Sequence, residues 1–204
     1  VIGWREVPID PSVLGGLALN TLPGIEQLLL ARPDTLQVGP DFDRALYLAR
    51  RRAERRYRDD SIDCYIVSLS ARTVVYKGLM VAPQLSAFYP DLADERTVSS
   101  LALLHQRFAT NTLPNWTLAQ PFRMVAHNGE INTLVGNRNW MQAREPELTS
   151  ALWGEQLQEL FPVIWPIGSD TASFDEALEL LVHSGRGLLH SLMMLIPEPW
   201  ENMP

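Results

Sequence analysis

The sequence predicts an α+β domain, because strand-like and helix-like segments are mixed without a regular β-α-β alternation. Residues 62–79, 99–109 and 122–126 are apolar segments rich in β-branched, aromatic or leucine side chains, which is typical of strands. Apolar residues recur at helical spacing within 41–58. No internal repeat or low-complexity linker divides the chain, so we treat residues 1–204 as one domain.

The first half of the chain begins with two predicted strands, at 4–8 and 25–31, joined by a loop of Gly, Leu and Pro. The helix at 41–58 follows. The segment 62–79 then predicts a hairpin whose turn lies at 70–72, where Ser, Ala and Arg interrupt the apolar pattern.

The helix at 41–58 is rich in arginine. Seven arginines surround Glu54 in this segment: Arg44, Arg50, Arg51, Arg52, Arg55, Arg56 and Arg58. We interpret them as a solvated helix face that pairs with nearby aspartates, namely Asp41, Asp43, Asp59 and Asp60. A docking surface for another domain is the alternative.

The second half contains two more predicted strands, at 99–109 and 122–126. The first is expected to be buried and to end in polar residues around Arg107. The second runs into His127, Asn128 and Gly129, and Asn-Gly is a strong turn signal because both residues tolerate a positive φ.

Three helices are predicted after this turn. The first covers 133–143, and the second begins near Ser169 or Asp170, where the side chain can cap free N–H groups. The last covers 187–195 and is ended by Pro197.

Composition excludes several classes of function. The net charge of −7 argues against nucleic-acid binding, and no apolar run reaches the roughly 20 residues that span a bilayer. The first residues lack the pattern of a signal peptide. The single cysteine, Cys64, excludes an internal disulfide and a multi-cysteine metal site, and the four histidines lack zinc-ligand spacing. We therefore predict a cytosolic protein that binds no metal.

Three polar clusters lie where predicted strands end or a helix begins, at 105–112, 126–133 and 168–175. Their chemistry suits a free amino acid with an amide side chain. Arg107 could bind an α-carboxylate through two hydrogen bonds, and Asp170 could bind an α-ammonium. The Asn128 carboxamide and the Gly129 N–H could stabilise an oxyanion. From spacing alone, an ion pair, a helix cap and a plain turn remain the favoured alternatives.

A longer pattern changes this balance. The segment HQRFATNTLPNWTLAQPFRMVAHNGEINTLVGNRNWMQARE resembles the signature of the glutaminase domain of the glutamate synthases. YIVSLSARTVVYKGLM, GSDTASFDEALELLV and MMLIPEPW resemble further parts of that domain, in order along the chain. The resemblance implies a class II glutamine amidotransferase domain. It also implies the four-layer αββα sandwich of the N-terminal-nucleophile hydrolases, incomplete in this chain.

The resemblance assigns a role to each matching residue. Arg107 would bind the α-carboxylate of L-glutamine and Asp170 its α-ammonium. Asn128 and Gly129 would form the oxyanion hole, and Thr110 would line the substrate pocket. Ala109 stands where many members of the family have serine.

The family's nucleophile is a cysteine at the mature N-terminus, whose own amine acts as the base. This chain begins with Val1, and Cys64 lies in an apolar predicted strand without an adjacent histidine. We therefore expect the nucleophilic cysteine to lie in a preceding segment of a longer polypeptide, and the isolated chain to be inactive.

The resemblance also implies what the parent enzyme does. Ammonia released from glutamine would travel to synthase domains of the same polypeptide and aminate 2-oxoglutarate. FMN and an iron–sulfur cluster would supply electrons there, from an electron-donor protein or subunit, while this chain itself binds no cofactor. The location would be the cytoplasm, or the plastid stroma in a plant or alga.

Two alternatives to a glutaminase of this family remain. A version of the domain without the cysteine would bind glutamine as a regulatory module and not cleave it. Other class II amidotransferases, which act on purine precursors or sugar phosphates, have shorter signatures around the Asn-Gly turn, and INTLVGNRNWMQARE fits them less well.

Overall fold

The computed structural model describes residues 1–108 and 112–198 of the chain. Six α-helices and two β-strands lie in these ranges, together with five short 3-10 helices. In chain order the strands and α-helices are β1 (Gly3–Glu6), α1 (Gly16–Asn20), β2 (Glu26–Leu29), α2 (Pro40–Asp59), α3 (Leu85–Phe88), α4 (Leu134–Arg144), α5 (Asp170–His183) and α6 (Leu188–Leu195). The α+β class predicted from the sequence agrees with this mixture. No helix in the described ranges combines the length and apolarity that crossing a membrane requires.

The two strands form an antiparallel ribbon in which Gly3 pairs with Leu29 and Glu6 with Glu26. A small apolar cluster lies next to it, where Val7 packs with Phe88 and Tyr89. The Tyr89 hydroxyl donates to the Lys77 carbonyl at 2.8 Å, which ties the cluster to the segment before α3.

The main core joins α2, α5 and the 3-10 helix Gly154–Leu160. One face of α2 is buried because its apolar residues repeat every three or four positions. The buried residues that pack together here are Tyr47, Leu48, Trp153, Leu157, Leu160, Val163 and Leu180. This core fixes α5, whose first turn carries Asp170.

The arginines of α2 do not all face solvent, so that part of the prediction is wrong. Arg50 and Arg51 are each 2% exposed. Arg50 bridges Glu54 at 2.7 Å and Glu179 of α5 at 2.5 Å, while Arg51 donates to the Leu160 carbonyl at 2.9 Å. A guanidinium can be buried when its donors meet carboxylates and carbonyl oxygens. Of these partners, Glu179 and Leu160 lie more than 100 residues away in the sequence.

Two of the remaining arginines pair with aspartates as predicted, Arg44 with Asp41 and Arg56 with Asp60. Arg52 instead pairs with Glu159, and Arg58 lies over the Trp165 ring.

Three segments that were predicted to form strands contain no strand among the described residues. The predicted hairpin at 62–79 keeps its turn, since Ser70 Oγ accepts the N–H groups of Arg72 and Thr73, but neither arm is a strand. Residues 99–108 and 122–126 also contain no assigned strand. The expectation that the first of these two is buried is wrong, because Leu101, Leu103 and Leu104 are 62–81% exposed. A strand requires a backbone partner, which an apolar pattern alone does not supply.

The cap of α5 leads to a stability prediction. Ser169 Oγ accepts the Ala172 N–H at 3.0 Å, and Ser169 is fully buried. Ser169→Ala should lower the free energy of unfolding by about 1 kcal/mol, because the first turn of α5 loses an acceptor. The measurement is urea denaturation of the parent polypeptide, followed by tryptophan fluorescence.

A matched control lies in α6. Ser191 is also fully buried, and its hydroxyl donates to the Gly187 carbonyl, which already accepts the Ser191 N–H. Ser191→Ala should therefore cost less than Ser169→Ala. Equal losses would mean that burial of the hydroxyl, and not capping, sets the cost.

Candidate functional site

The N-terminus of α5 positions the first of the predicted site residues. Ser169 caps the helix through its hydrogen bond to the Ala172 N–H, and Asp170 is the first helical residue. The Asp170 side chain is almost fully buried. Its Oδ1 accepts the Thr171 N–H at 2.6 Å, and its Oδ2 accepts the Ile131 N–H at 2.9 Å. The second bond brings the carboxylate next to the loop that carries Asn128 and Gly129.

We call the loop of residues 127–131 the Asn128–Gly129 turn. The backbone of His127 is bound on two sides. The Gln120 side chain accepts the His127 N–H at 2.6 Å and donates to the His127 carbonyl, which also accepts the Thr171 hydroxyl at 2.9 Å. The turn is therefore fixed at His127 by Gln120 and α5, and at Ile131 by Asp170.

Within the turn, Asn128 is half-buried and Gly129 is exposed. A Cβ atom built on Gly129 would lie 2.7 Å from His127 Nε2. The His127 ring therefore lies against the glycine backbone, and a Cβ at this position would require the ring to move. This contact favours glycine here, whereas the positive φ that the Asn-Gly pair suggested is found at neither Asn128 nor Gly129.

The helix α4 contributes a brace that the sequence analysis did not identify. Arg138 donates to Ser173 Oγ from two nitrogens, at 2.8 and 3.0 Å, and to the Gly168 carbonyl at 2.9 Å. These bonds join α4 to the start of α5. The signal in the sequence is the number of polar residues in the first turns of α5, where Thr171, Ser173 and Asp175 are all buried in the structure.

The structure does not bring every predicted site residue together. Arg107 is exposed, and no hydrogen bond or ion pair among the described residues joins it to Asp170 or Asn128. Thr110 lies in 109–111, outside the described residues. The roles of Arg107 and Thr110 therefore remain predictions.

Cys64 is exposed and does not lie in a strand, whereas the sequence predicted an apolar strand there. Partial burial of its sulfur and the nearby carboxylates of Asp63, Glu26 and Glu54 raise the pKa of the Cys64 thiol. A raised pKa reduces the thiolate population, and the thiolate is the nucleophilic form. The surroundings of Cys64 are therefore the opposite of those that activate a catalytic cysteine.

A carboxylate beside a turn that contains an asparagine and a glycine suits a substrate with an ammonium group and a carbonyl that becomes an oxyanion. Comparison with known proteins agrees with this chemistry. The family model described as "Glutamine amidotransferases class-II" matches residues 1–204. The chain belongs to the class II glutamine amidotransferases. The family predicted from the sequence is thus confirmed.

Three similar proteins within this amidotransferase family are glutamate synthases. The large chain of "Glutamate synthase [NADPH]" from Bacillus subtilis is 46% identical over 200 residues, which cover 98% of this chain. "Ferredoxin-dependent glutamate synthase 2" from Synechocystis is 46% identical over 205 residues, and "Ferredoxin-dependent glutamate synthase 1, chloroplastic/mitochondrial" from Arabidopsis thaliana is 43% identical over 208, each covering 100% of it. The chain spans 13% of the length of each of these three relatives.

The residues of this amidotransferase chain do not fit an iron–sulfur cluster, which normally takes four cysteine thiolates, because the sequence contains one cysteine. Among residues 1–108 and 112–198, no group of three or more His, Cys, Asp or Glu side chains has the arrangement of a metal site.

Proposed function

We propose that residues 1–204 form the substrate pocket and oxyanion hole of a glutaminase domain, which hydrolyses L-glutamine to glutamate and ammonia. The observation that carries the proposal is the hydrogen bond from the Ile131 N–H to the Asp170 carboxylate. It holds a nearly buried carboxylate beside the Asn128–Gly129 turn. A glutamine molecule has its ammonium group and its side-chain carbonyl at opposite ends, so both groups can be bound in one site.

The proposed roles follow the charges of the substrate. Asp170 binds the α-ammonium of glutamine, and Arg107 binds its α-carboxylate, since a guanidinium donates two parallel hydrogen bonds to a carboxylate. Asn128 and the Gly129 N–H donate to the oxygen of the reacting amide. For Thr110, which lies outside the described residues, the proposed role is contact with the substrate.

The nucleophile is proposed to be a cysteine at the mature N-terminus of the parent polypeptide. Its sulfur attacks the side-chain carbonyl carbon of glutamine, and the carbonyl oxygen becomes an oxyanion. The carbon–nitrogen bond breaks, the nitrogen takes up a proton and leaves as ammonia, and a thioester remains. Water then attacks the thioester, which restores the thiol and releases glutamate.

We further propose the four-layer αββα sandwich for the complete domain, with strands from other parts of the parent polypeptide. Two observations support it. The solvent-accessible surface of the chain is 13,694 Å², whereas a folded monomer of this mass has about 9,600 Å². The leucines at 101, 103 and 104, which the sequence assigns to a strand, are among the exposed apolar residues. Pairing with further strands would bury them.

In the parent enzyme, ammonia would pass to synthase domains of the same polypeptide and aminate 2-oxoglutarate. FMN and an iron–sulfur cluster would lie in those domains and receive electrons from a nicotinamide or a ferredoxin. The relatives that carry these electron donors in their names support the proposal. We propose the cytoplasm as the location, or the stroma in a plastid-containing organism.

The test is an assay of the full-length protein for glutamate and ammonia released from glutamine. Equimolar release supports the glutaminase. Heat of glutamine binding in calorimetry without release of ammonia would instead identify a regulatory glutamine-binding module. Release of ammonia without amination of 2-oxoglutarate would favour another class II amidotransferase.

A further inference from the structure

A buried carboxylate of α5 binds the backbone just before the Asn128–Gly129 turn. Asp175 is fully buried, and its Oδ1 accepts the N–H groups of Met124 at 2.7 Å and Val125 at 3.1 Å. Its Oδ2 accepts the Arg123 N–H at 3.3 Å. Three successive backbone N–H groups thus point at one carboxylate. Such a group of N–H donors is an anion-binding site, and here the bound anion is the Asp175 side chain.

The segment bound by Asp175 continues directly into the turn. Phe122 N–H donates to the Val125 carbonyl at 2.9 Å, so the backbone of 122–125 is itself tightly folded. Two residues later, Gln120 holds the His127 backbone through both its N–H and its carbonyl. Gln120 is nearly fully buried. The position of the turn is thus set from the preceding segment by Asp175 and Gln120, two residues that lie outside the turn.

Asp175 lies among charged groups of α2, α5 and the segment that contains Arg123. Burial and the nearby Glu179 raise the pKa of Asp175 to about 6, against the opposing effect of Arg123. The three backbone N–H groups and Arg123 favour the ionised form of Asp175 and oppose this rise. Arg123 also donates to Glu54 at 3.0 Å, and Arg50 joins Glu54 to Glu179, so α2 and α5 share one ion network.

We propose that Asp175 and Gln120 are positioning residues, which set the oxyanion donors of the Asn128–Gly129 turn without touching the substrate. The proposal rests on the glutaminase function proposed above. A displacement of a catalytic group by about 1 Å can lower the rate by a factor of roughly 100. Hydrogen bonds that hold the oxyanion donors in place therefore increase the rate. The hydrogen bonds of this frame go to the backbone of residues 123–125, just before the turn, and to His127, the first residue of the turn.

The test is Asp175→Asn in the full-length protein. Asparagine offers one carbonyl oxygen, and its amide would face an N–H group with another donor. We expect kcat for glutamine hydrolysis to fall about tenfold, a smaller loss than a full 1 Å displacement would cause. KM for glutamine should stay nearly unchanged, and so should ammonia-dependent glutamate synthesis. Amide hydrogen exchange in peptides covering 121–131 should become faster.

Glu176→Gln is the matched control. Glu176 is the next residue of α5, and its carboxylate accepts one backbone N–H, that of Trp165 at 3.0 Å. Burial raises the pKa of Glu176 to about 7. Like Asp175, Glu176 therefore has a raised pKa and accepts a backbone N–H group. Its partner lies outside the turn, and the variant should leave kcat and exchange in 121–131 as in the wild type.

Wild-type kcat and wild-type exchange in Asp175→Asn would overturn the proposal, and so would a parallel loss of glutamine- and ammonia-dependent activity in a folded variant. If Asp175→Asn does not fold, Gln120→Glu decides. It keeps the acceptor for the His127 N–H but removes the donor to the His127 carbonyl, so kcat should fall, and an unchanged kcat would refute positioning. A wild-type protein that releases no ammonia would defeat the glutaminase proposal instead, while the exchange experiment would still report on the frame.

Discussion

Replacement of Asn128 by alanine in the full-length protein should lower the turnover of glutamine by a factor of about 10²–10³, the usual cost of one lost oxyanion donor. The loss should fall on kcat, because the oxyanion exists in the transition state and not in bound glutamine. Steady-state release of glutamate from glutamine measures this effect. Glutamate synthesis from added ammonia should be unchanged, because it bypasses the glutaminase site.

A matched control for this variant is Asn132→Ala. Asn132 is exposed and follows the same turn, so the variant removes the same carboxamide group close to the site. It should keep wild-type kcat. Similar losses in both variants would assign the effect of Asn128 to the conformation of the loop and would contradict its role as an oxyanion donor.

The second large effect is expected for Asp170. Asp170→Asn removes the charge. Its single side-chain oxygen can still accept the Ile131 N–H, which keeps the turn in place, while its amide then faces the Thr171 N–H within α5. Loss of a charge-assisted hydrogen bond costs about 1.5–3 kcal/mol, which predicts a rise in KM for glutamine of roughly 10- to 100-fold. The measurement is the dependence of glutamate release on glutamine concentration, beside ammonia-dependent synthesis as the reference activity.

Asp41→Asn is a suitable control for charge alone. Asp41 lies in the first turn of α2, as Asp170 does in α5, but its side chain is largely exposed. It should leave KM unchanged. If Asp170→Asn lowered glutamine- and ammonia-dependent activity together, Asp170 would be a residue required for folding and the binding role would be wrong.

Helices could be predicted from the sequence because their determinants are local. The expected ranges 41–58, 133–143 and 187–195 agree within about one residue with α2, α4 and α6. Ser169 was recognised as a candidate cap because a capping side chain acts on N–H groups two or three residues away.

Sheet pairing and buried charge could not be predicted in this way. An apolar segment such as 99–108 indicates a strand but does not identify its partner, and its leucines are exposed in this chain. The burial of Arg50 depends on Glu179, which lies 129 residues away. Sequence spacing gives no information about a partner at that distance.

Some residues of the candidate site could be predicted from the sequence and others could not. Residue types and the family resemblance identified Asp170, Asn128 and Gly129. The frame around them was missed, because Asp175 and Gln120 act through bonds to the backbone of other segments. The sequence does show a polar residue, Asp175, among the apolar residues of a predicted helix. Such a residue needs a hydrogen-bond partner, but the sequence does not show which one.

The central claim is that this chain supplies the pocket and that a cysteine elsewhere in the parent polypeptide supplies the nucleophile. Its most direct test is to incubate the full-length protein with a glutamine analogue that carries an electrophilic ketone in place of the amide, and to locate the adduct by mass spectrometry. We predict one equivalent of the analogue bound to an N-terminal cysteine outside residues 1–204. The same cysteine should be labelled much more slowly in the Asp170→Asn variant. An adduct on Cys64, or release of ammonia that continues in the absence of any labelled cysteine, would contradict the account.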